Sequence, residues 1–238
     1  MDRLPALSFF FPAYNEEESV IPLVEEALAT LPRFADDFEV IVIDDGSRDR
    51  TGELADGMAA RHHGRVRVVH HRPNRGYGGA VRSGLVSARK PFVFFTDGDR
   101  QFRLEDLGLL VDAIEGVDAV VGYRRVRRDP FRRLAIAWVY KQVIRVLFGT
   151  YFRDVDCAYK LFRREAFERV PLSKILSNGA FFSAELLLSL RAAGVRIAQV
   201  PVPHYPRTAG RAAGAAPRVV LRTIRDLLAL RVRLWRRR

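Results

Sequence analysis

Two carboxylates and an amide lie within five residues at Asp97-Gly98-Asp99-Arg100-Gln101, directly behind the apolar run Pro91-Phe92-Val93-Phe94-Phe95-Thr96. Such a run reads as a buried strand, so the acids fall where a strand gives way to a loop, within reach of one another. Paired carboxylates there are oxygen ligands for a hard divalent cation, Mg²⁺ or Mn²⁺, which usually bridges protein carboxylates to substrate phosphates. The expected partner is therefore a phosphorylated ligand. The competing reading is a solvated turn, because Asp and Gly favour turns for backbone reasons of their own.

Three further polar segments close apolar runs. Pro12-Ala13-Tyr14-Asn15-Glu16 follows the first, and Asp44-Asp45-Gly46-Ser47 follows the second, with Asp49 and Thr51 shortly after. A carboxylate in such a place can accept hydrogen bonds from a base or a ribose, and Tyr14 can stack on a flat ring. Either segment could equally serve as a helix N-cap. Asn74-Arg75-Gly76-Tyr77-Gly78-Gly79-Ala80 is the third. Its glycines permit close backbone approach, and a helix N-terminus there favours an anion. No Gly-Lys-Ser/Thr follows, so it is not a Walker loop, and its place after the third strand does not suit a dinucleotide fingerprint.

The elements that must position these residues follow from hydrophobic pattern. Strand-length apolar runs occur at Leu7 to Phe11, Phe38 to Ile43, Val66 to Val69, Phe92 to Phe95 and Ala119 to Val121. Helical spacing fills the gaps: Glu16 to Leu31 with Asn15 as N-cap, Thr51 to His62, Tyr77 to Ala88 and Leu104 to Ile114. Alternating strand and helix predicts an α/β domain with a largely parallel sheet and a ligand site at the carboxyl ends of its strands. Beyond residue 130 the pattern changes. Leu134 to Phe148 predicts an amphipathic helix, Ala180 to Ala193 another, and Arg196 to Val202 a strand. A loop punctuated by Pro201, Pro203, Pro206, Gly210 and Gly214 follows. Val219 to Trp235 predicts a basic amphipathic helix, either docked on the domain or lying on a membrane.

Charge is unevenly spread along the 238 residues. The net charge is +12, and residues 207–238 hold ten arginines against one acid, Asp226. A second cluster comprises Arg124, Arg125, Arg127, Arg128, Arg132 and Arg133. Both suit anionic partners: phosphate groups, an anionic membrane surface or nucleic acid. No aromatic-interleaved basic motif or zinc finger supports specific nucleic-acid recognition, so that class ranks well below an enzyme. The single cysteine, Cys157, excludes an internal disulfide framework and a cysteine zinc site, and reads as a small core residue. No apolar stretch approaches a membrane span, and Met1-Asp2-Arg3-Leu4-Pro5 lacks the regions of a signal peptide. A cytoplasmic protein is expected, with peripheral membrane contact as an option.

Taken in order, PAYNEEESV, VIVIDDGSRDRT, NRGYGGAVRSG, FFTDGDRQF, GYR, DVDCAYKLFRR and VPVPHYPRTAG resemble family 2 of the inverting glycosyltransferases. The likeness covers about residues 7 to 211 and is strongest to the branch of dolichol-phosphate mannose synthases and related polyprenyl-phosphate glycosyltransferases. It implies a GT-A fold over residues 1–206, followed by a basic loop and amphipathic helix over 207–238. It also implies transfer of a sugar from a nucleotide-diphosphate sugar to a polyprenyl phosphate at the cytoplasmic membrane face. Tyr14, Glu16, Asp44 and Asp45 match positions that hold the nucleoside, Asp45 being favoured over Asp44 as the base contact, and Pro12, Ala13, Asp97 and Gly98 join them around the nucleotide sugar. Asp97, Asp99 and Gln101 match the family's metal-binding Asp-x-Asp-x-Gln pattern. Arg124 and Arg207 match arginines near the phosphates and acceptor.

A phosphate monoester, with a second pKa of about 6, is already anionic near neutral pH and needs no catalytic base. A hydroxyl acceptor, the alternative, would need one, and Asp154 or Asp156 is the candidate unless these acids orient Arg or Lys side chains. The chain departs from the resemblance where Arg207-Thr208-Ala209-Gly210 continues with Arg211-Ala212-Ala213 in place of the usual Ser and Lys. It also ends in an arginine-rich helix where many relatives have membrane spans. The sugar, the nucleotide and the oligomeric state are not legible.

Overall fold

The computed structural model describes residues 3–125, 131–179, 181–206 and 217–235. Seven strands form one sheet in the order β3-β2-β1-β4-β6-β5-β7. They are β1 (Leu4–Ala13), β2 (Ala35–Asp44), β3 (Val66–His70), β4 (Phe92–Phe95), β5 (Ala119–Arg124), β6 (Lys160–Arg163) and β7 (Ile197–Val202). All neighbours are parallel except β6, which runs antiparallel to both β4 and β5. The helices are α1 (Val20–Thr30), α2 (Thr51–Arg61), α3 (Tyr77–Ser87), α4 (Gly108–Val111), α5 (Phe131–Phe148), α6 (Ala166–Arg169), α7 (Phe182–Ala192) and α8 (Pro217–Trp235).

Strand alternation sorts the side chains into two layers. Phe9, Phe11, Val40, Val42 and Phe94 enter a core shared with α1, α2 and the 104–111 segment. Phe10, Ile41, Ile43, Val93 and Phe95 enter a second core with α3, α7 and parts of α5 and α8. The central strands are buried on both faces, which is why they read as unbroken apolar runs rather than alternating ones. Rings cross the strand pairings as well: Phe9 stacks on Phe94 at 5.4 Å between centroids, and Phe10 on Phe95 at 5.1 Å. Such contacts add about 0.5–1.5 kcal/mol each beyond the area they bury.

The expected strands and most helices are present, with three differences. β6 was not expected; it is four residues long and begins and ends on Lys160 and Arg163. The helix expected over Leu104 to Ile114 is a 3₁₀ turn, Leu104–Leu107, running into the short α4. Asn15 does not cap α1, whose N-cap is Ser19 with no side-chain cap bond. The loop containing Gly210 and Gly214 lies outside the described residues. Helix α8 is present, and its Leu227 and Leu230 are buried in the second core. Among the described residues no helix is long and apolar enough to cross a membrane.

Candidate active site

The loops after β1 and β2 are bonded into one unit. The Asp45 amide donates to the Ala13 carbonyl at 2.9 Å, the Asn15 amide to Ser47 Oγ at 3.1 Å and the Glu16 amide to Thr51 Oγ1 at 2.8 Å. Asn15, with φ of 55°, turns the chain, and its Oδ1 accepts from the Arg48 amide at 2.8 Å. That job explains why it is not the cap, since Asn tolerates the left-handed region better than most residues. Pro12 and Ala13 are the last residues of β1, and Tyr14, which follows them, is 44 % exposed.

Asp44 and Asp45 are neighbours in sequence and point to opposite sides of the sheet, each meeting a histidine at the end of β3. Asp44 Oδ2 lies 2.9 Å from His70 Nδ1, and the other ring nitrogen of His70 lies 3.0 Å from Asp56 Oδ1 on α2. Burial opposes the Asp44 charge, but hydrogen bonds from Ser47 and His70 outweigh it and hold the carboxyl below its usual range. Asp45 Oδ1 lies 2.6 Å from His71 Nδ1 and also accepts the Arg75 amide at 2.8 Å. The sequence reading missed both histidines; two adjacent His residues behind a strand, opposite an Asp-Asp pair, were the available signal.

The Asp97–Gln101 loop rests on the end of β1. A Cβ on Gly98 would stand 2.8 Å from the Pro12 carbonyl oxygen, so only glycine lets the loop settle there. Asp97 Oδ1 is sealed from solvent with no hydrogen-bond partner. Burial and the nearby charge of Asp99 push the Asp97 carboxyl up to about 6, against Tyr77, Lys160 and Arg124 pulling the other way. The buried Asp99 accepts the Gln101 amide at 3.1 Å. Gln101 in turn pairs with Tyr205: its carbonyl takes the Tyr205 amide at 2.9 Å, and its side-chain nitrogen donates to the Tyr205 carbonyl at 3.3 Å. That pairing ties the acid loop to the segment leading to Arg207, which itself lies outside the described residues.

Arg124 ends β5 and is gripped by Asp154 through two bonds, Nε to Oδ2 at 2.6 Å and Nη2 to Oδ1 at 2.9 Å. Burial works against the Arg124 cation, and Asp154 more than offsets it, so the guanidinium stays charged well above its ordinary range. Of the two roles considered for Asp154, the geometry matches the orientation of an arginine. Asp156 is exposed, and its charge reaches Arg124, Tyr77, Tyr140 and Lys160. Lys160 is fully buried on β6, donating to the Cys157 carbonyl, with Ser183 Oγ 3.4 Å away. Burial lowers its pKa, while Asp156, Asp97 and Asp154 hold it up. Burial also pushes the Cys157 thiol up to about 12, consistent with an inert core residue.

The glycine loop before α3 serves a purpose other than the one its composition suggested. The Gly78 amide at the start of α3 donates to the Asn178 carbonyl at 2.9 Å, and Cβ atoms on Gly76 or Gly78 would meet the Ser177–Asn178 backbone within 3 Å. The close approach is made by the protein's own chain, which takes up the Gly78 amide. Both Arg124 and Lys160 act on Asp97.

Among the described residues no group of three or more His, Cys, Asp or Glu side chains forms an all-protein metal cage. Two acids, one with an unpartnered buried oxygen, fit the other mode, in which a hard cation is shared between carboxylates and ligand phosphates.

The model of the family described as "Glycosyl transferase family 2" matches residues 8–170. The chain belongs to that family. Curated relatives of this family 2 glycosyltransferase include glycosyltransferase AglD of Haloferax volcanii, 34% identical over 84% of this chain and 33% of that protein. Polyprenol monophosphomannose synthase of Mycolicibacterium smegmatis is 31% identical over 84% of this chain and 77% of the relative. Dodecaprenyl-phosphate galacturonate synthase of Rhizobium johnstonii is 31% identical over 94% of this chain and 66% of the relative. The chain thus spans about a third of the archaeal relative and larger shares of the other two. Among solved structures, glucosyl-3-phosphoglycerate synthase from Mycobacterium tuberculosis, in complex with Mn²⁺, UDP and phosphoglyceric acid, superposes with a TM-score of 0.69 at 22% identity. That match covers 95% of this chain and 78% of the neighbour, and it establishes the GT-A fold.

Proposed function

We propose that this glycosyltransferase moves a sugar, with inversion, from a nucleoside diphosphate sugar to a polyprenyl phosphate, using Mg²⁺ or Mn²⁺. The observation that carries the reading is the Asp97–Asp99 pair at the end of β4, with one sealed oxygen awaiting a partner, beside a rigidly held Arg124. When bound, the cation would neutralise charge developing on the departing diphosphate. Asp97 and Asp99 would hold it, and the Gln101 side chain would help close the site. Asp45 would contact the base, with Tyr14 stacking on it and Glu16 and Asp44 bracing the nucleoside. Arg124, with Arg207, would take a phosphate bidentately, as a planar guanidinium does well.

For the acceptor, relatives named for mannose and galacturonate both carry a polyprenyl phosphate in their names, which favours that class while leaving the sugar open. Exposed apolar residues support peripheral membrane contact. Leu228, Val232 and Trp235 recur along α8, and Trp138, Val139 and Val146 lie on α5. Purified protein with UDP- and GDP-sugars, Mn²⁺ and polyprenyl phosphate is expected to release nucleoside diphosphate and form a lipid-linked sugar. The matching polyprenol should give none. Transfer to the polyprenol instead would favour a hydroxyl acceptor with Asp156 as base.

A further inference from the structure

His71 lies behind the proposed base contact and has no part in the reaction described above. It is 2% exposed, and both of its ring nitrogens are engaged. Because an ionised carboxylate can only accept, Nδ1 must carry the proton given to Asp45 Oδ1 at 2.6 Å. Nε2 lies 2.8 Å from the Ser83 hydroxyl on α3, a group that can donate or accept. The result is a bonded chain of Ser83, His71 and Asp45. Its end point, Oδ1, also accepts the Arg75 amide at 2.8 Å, so both lone pairs of that oxygen are used. The Asn74 side chain binds the Asp45 carbonyl at 2.6 Å and fixes the residue's backbone as well.

Asp45 therefore offers a ligand one oxygen, Oδ2, where a loose carboxylate would offer two. Uracil presents one N–H flanked by two carbonyls and matches a single acceptor. Guanine presents an N–H and an amino group side by side, a pair that fits both oxygens of a carboxylate. Against a half-occupied Asp45, guanine would leave one donor unpaired or displace His71 or Arg75, and unpaired buried polar groups are where sites discriminate most strongly. We propose that His71, anchored by Ser83, is a positioning residue that makes Asp45 a one-oxygen acceptor and thereby selects uridine over guanosine diphosphate sugars. The inference rests on the reading of Asp45 as the base contact.

The test is calorimetric titration of the full chain with UDP and with GDP, in Mn²⁺, on wild type and four variants. Wild type is expected to bind UDP at least about tenfold more tightly than GDP. His71→Ala should weaken UDP about tenfold and bring the UDP-to-GDP ratio toward one, because Oδ1 is released. His71→Asn puts a side-chain N–H near the place of Nδ1 and should recover most of that loss. Ser83→Ala leaves the His71–Asp45 contact in place and should shift the ratio the same way by about two- to threefold. A general loss of fold would lower both affinities together and could not move their ratio. Equal binding of GDP and UDP by wild type, or a ratio unmoved in both His71→Ala and Ser83→Ala, would overturn the proposal. UDP binding unchanged in Asp45→Asn would overturn the base-contact reading itself, and this inference with it.

Discussion

The two ends of the sheet solve the problem of holding charge differently. On the β3-β2-β1 side, Asp44 and Asp45 are each set by short hydrogen bonds among neighbouring loops, and the loops are bonded to one another. On the β6-β5-β7 side, charge near the acid loop is held by the bidentate ion pair Arg124–Asp154 and by the buried Lys160, and the helices α5 and α8 leave apolar residues in solvent. The first arrangement suits a small ligand of fixed shape, for which a preorganised site reduces the cost of binding. In the proposed function the second would take an anionic head on a long apolar chain, whose tail would lie along the exposed helices.

The largest expected effect falls where the two sides meet. Asp99→Asn should lower turnover by about 10²–10³-fold, as loss of one element of transition-state charge stabilisation does elsewhere, with the melting temperature little changed. On the acceptor side Asp154→Ala strands a buried guanidinium and should cost about 3 kcal/mol in denaturant unfolding. On the donor side Asp44→Asn should cost about 1 kcal/mol, because Ser47 and His70 remain as partners. Equal costs would erase the contrast drawn between the two halves.

Asp97 separates stability from function. Its carboxyl, raised to about 6 by burial and by Asp99, binds a proton more readily folded than unfolded, so it costs stability at neutral pH and costs less as pH falls through about 6. Asp97→Asn should therefore stabilise the metal-free protein by about 1–3 kcal/mol while abolishing metal-dependent activity. Mn²⁺ affinity of the wild type should fall below pH about 6, where the proton competes with the cation.

The smallest effect belongs to His70. Its pKa is raised above 6.5, first by the Asp44 hydrogen bond and, against burial, by Asp56. That contribution is full below about pH 6.5 and is lost as pH rises through the folded value. With a third of the side chain exposed and screened, it should stay under about 1 kcal/mol, and His70→Gln should flatten that limb of the stability profile.

Much of this was legible in the sequence. The strands of the donor half are long apolar runs followed by polar loops, and the Asp97-Gly98-Asp99 turn stands where such a run ends. What the sequence concealed depends on contacts between distant segments. β6 carries Lys160 and Arg163 at its ends, and an isolated four-residue stretch gives no period to read; its buried Lys160 bonds the Cys157 carbonyl and feels the charges of Asp97, Asp154 and Asp156. The Gly76–Gly78 loop looked like an anion cradle because its partner, Asn178, lies a hundred residues away. His70 and His71 carried no motif, and their roles follow only from the β2–β3 register that sets Asp44 beside His70.

The central claim is that Asp97 and Asp99 share a cation with the donor diphosphate. Titration of Mn²⁺ into the protein, with and without UDP and on Asp99→Asn, tests it most directly. The account predicts weak binding of Mn²⁺ alone, binding strengthened at least about tenfold by UDP, and loss of that coupling in the variant. Equal UDP affinity in Mn²⁺ and in EDTA would contradict it.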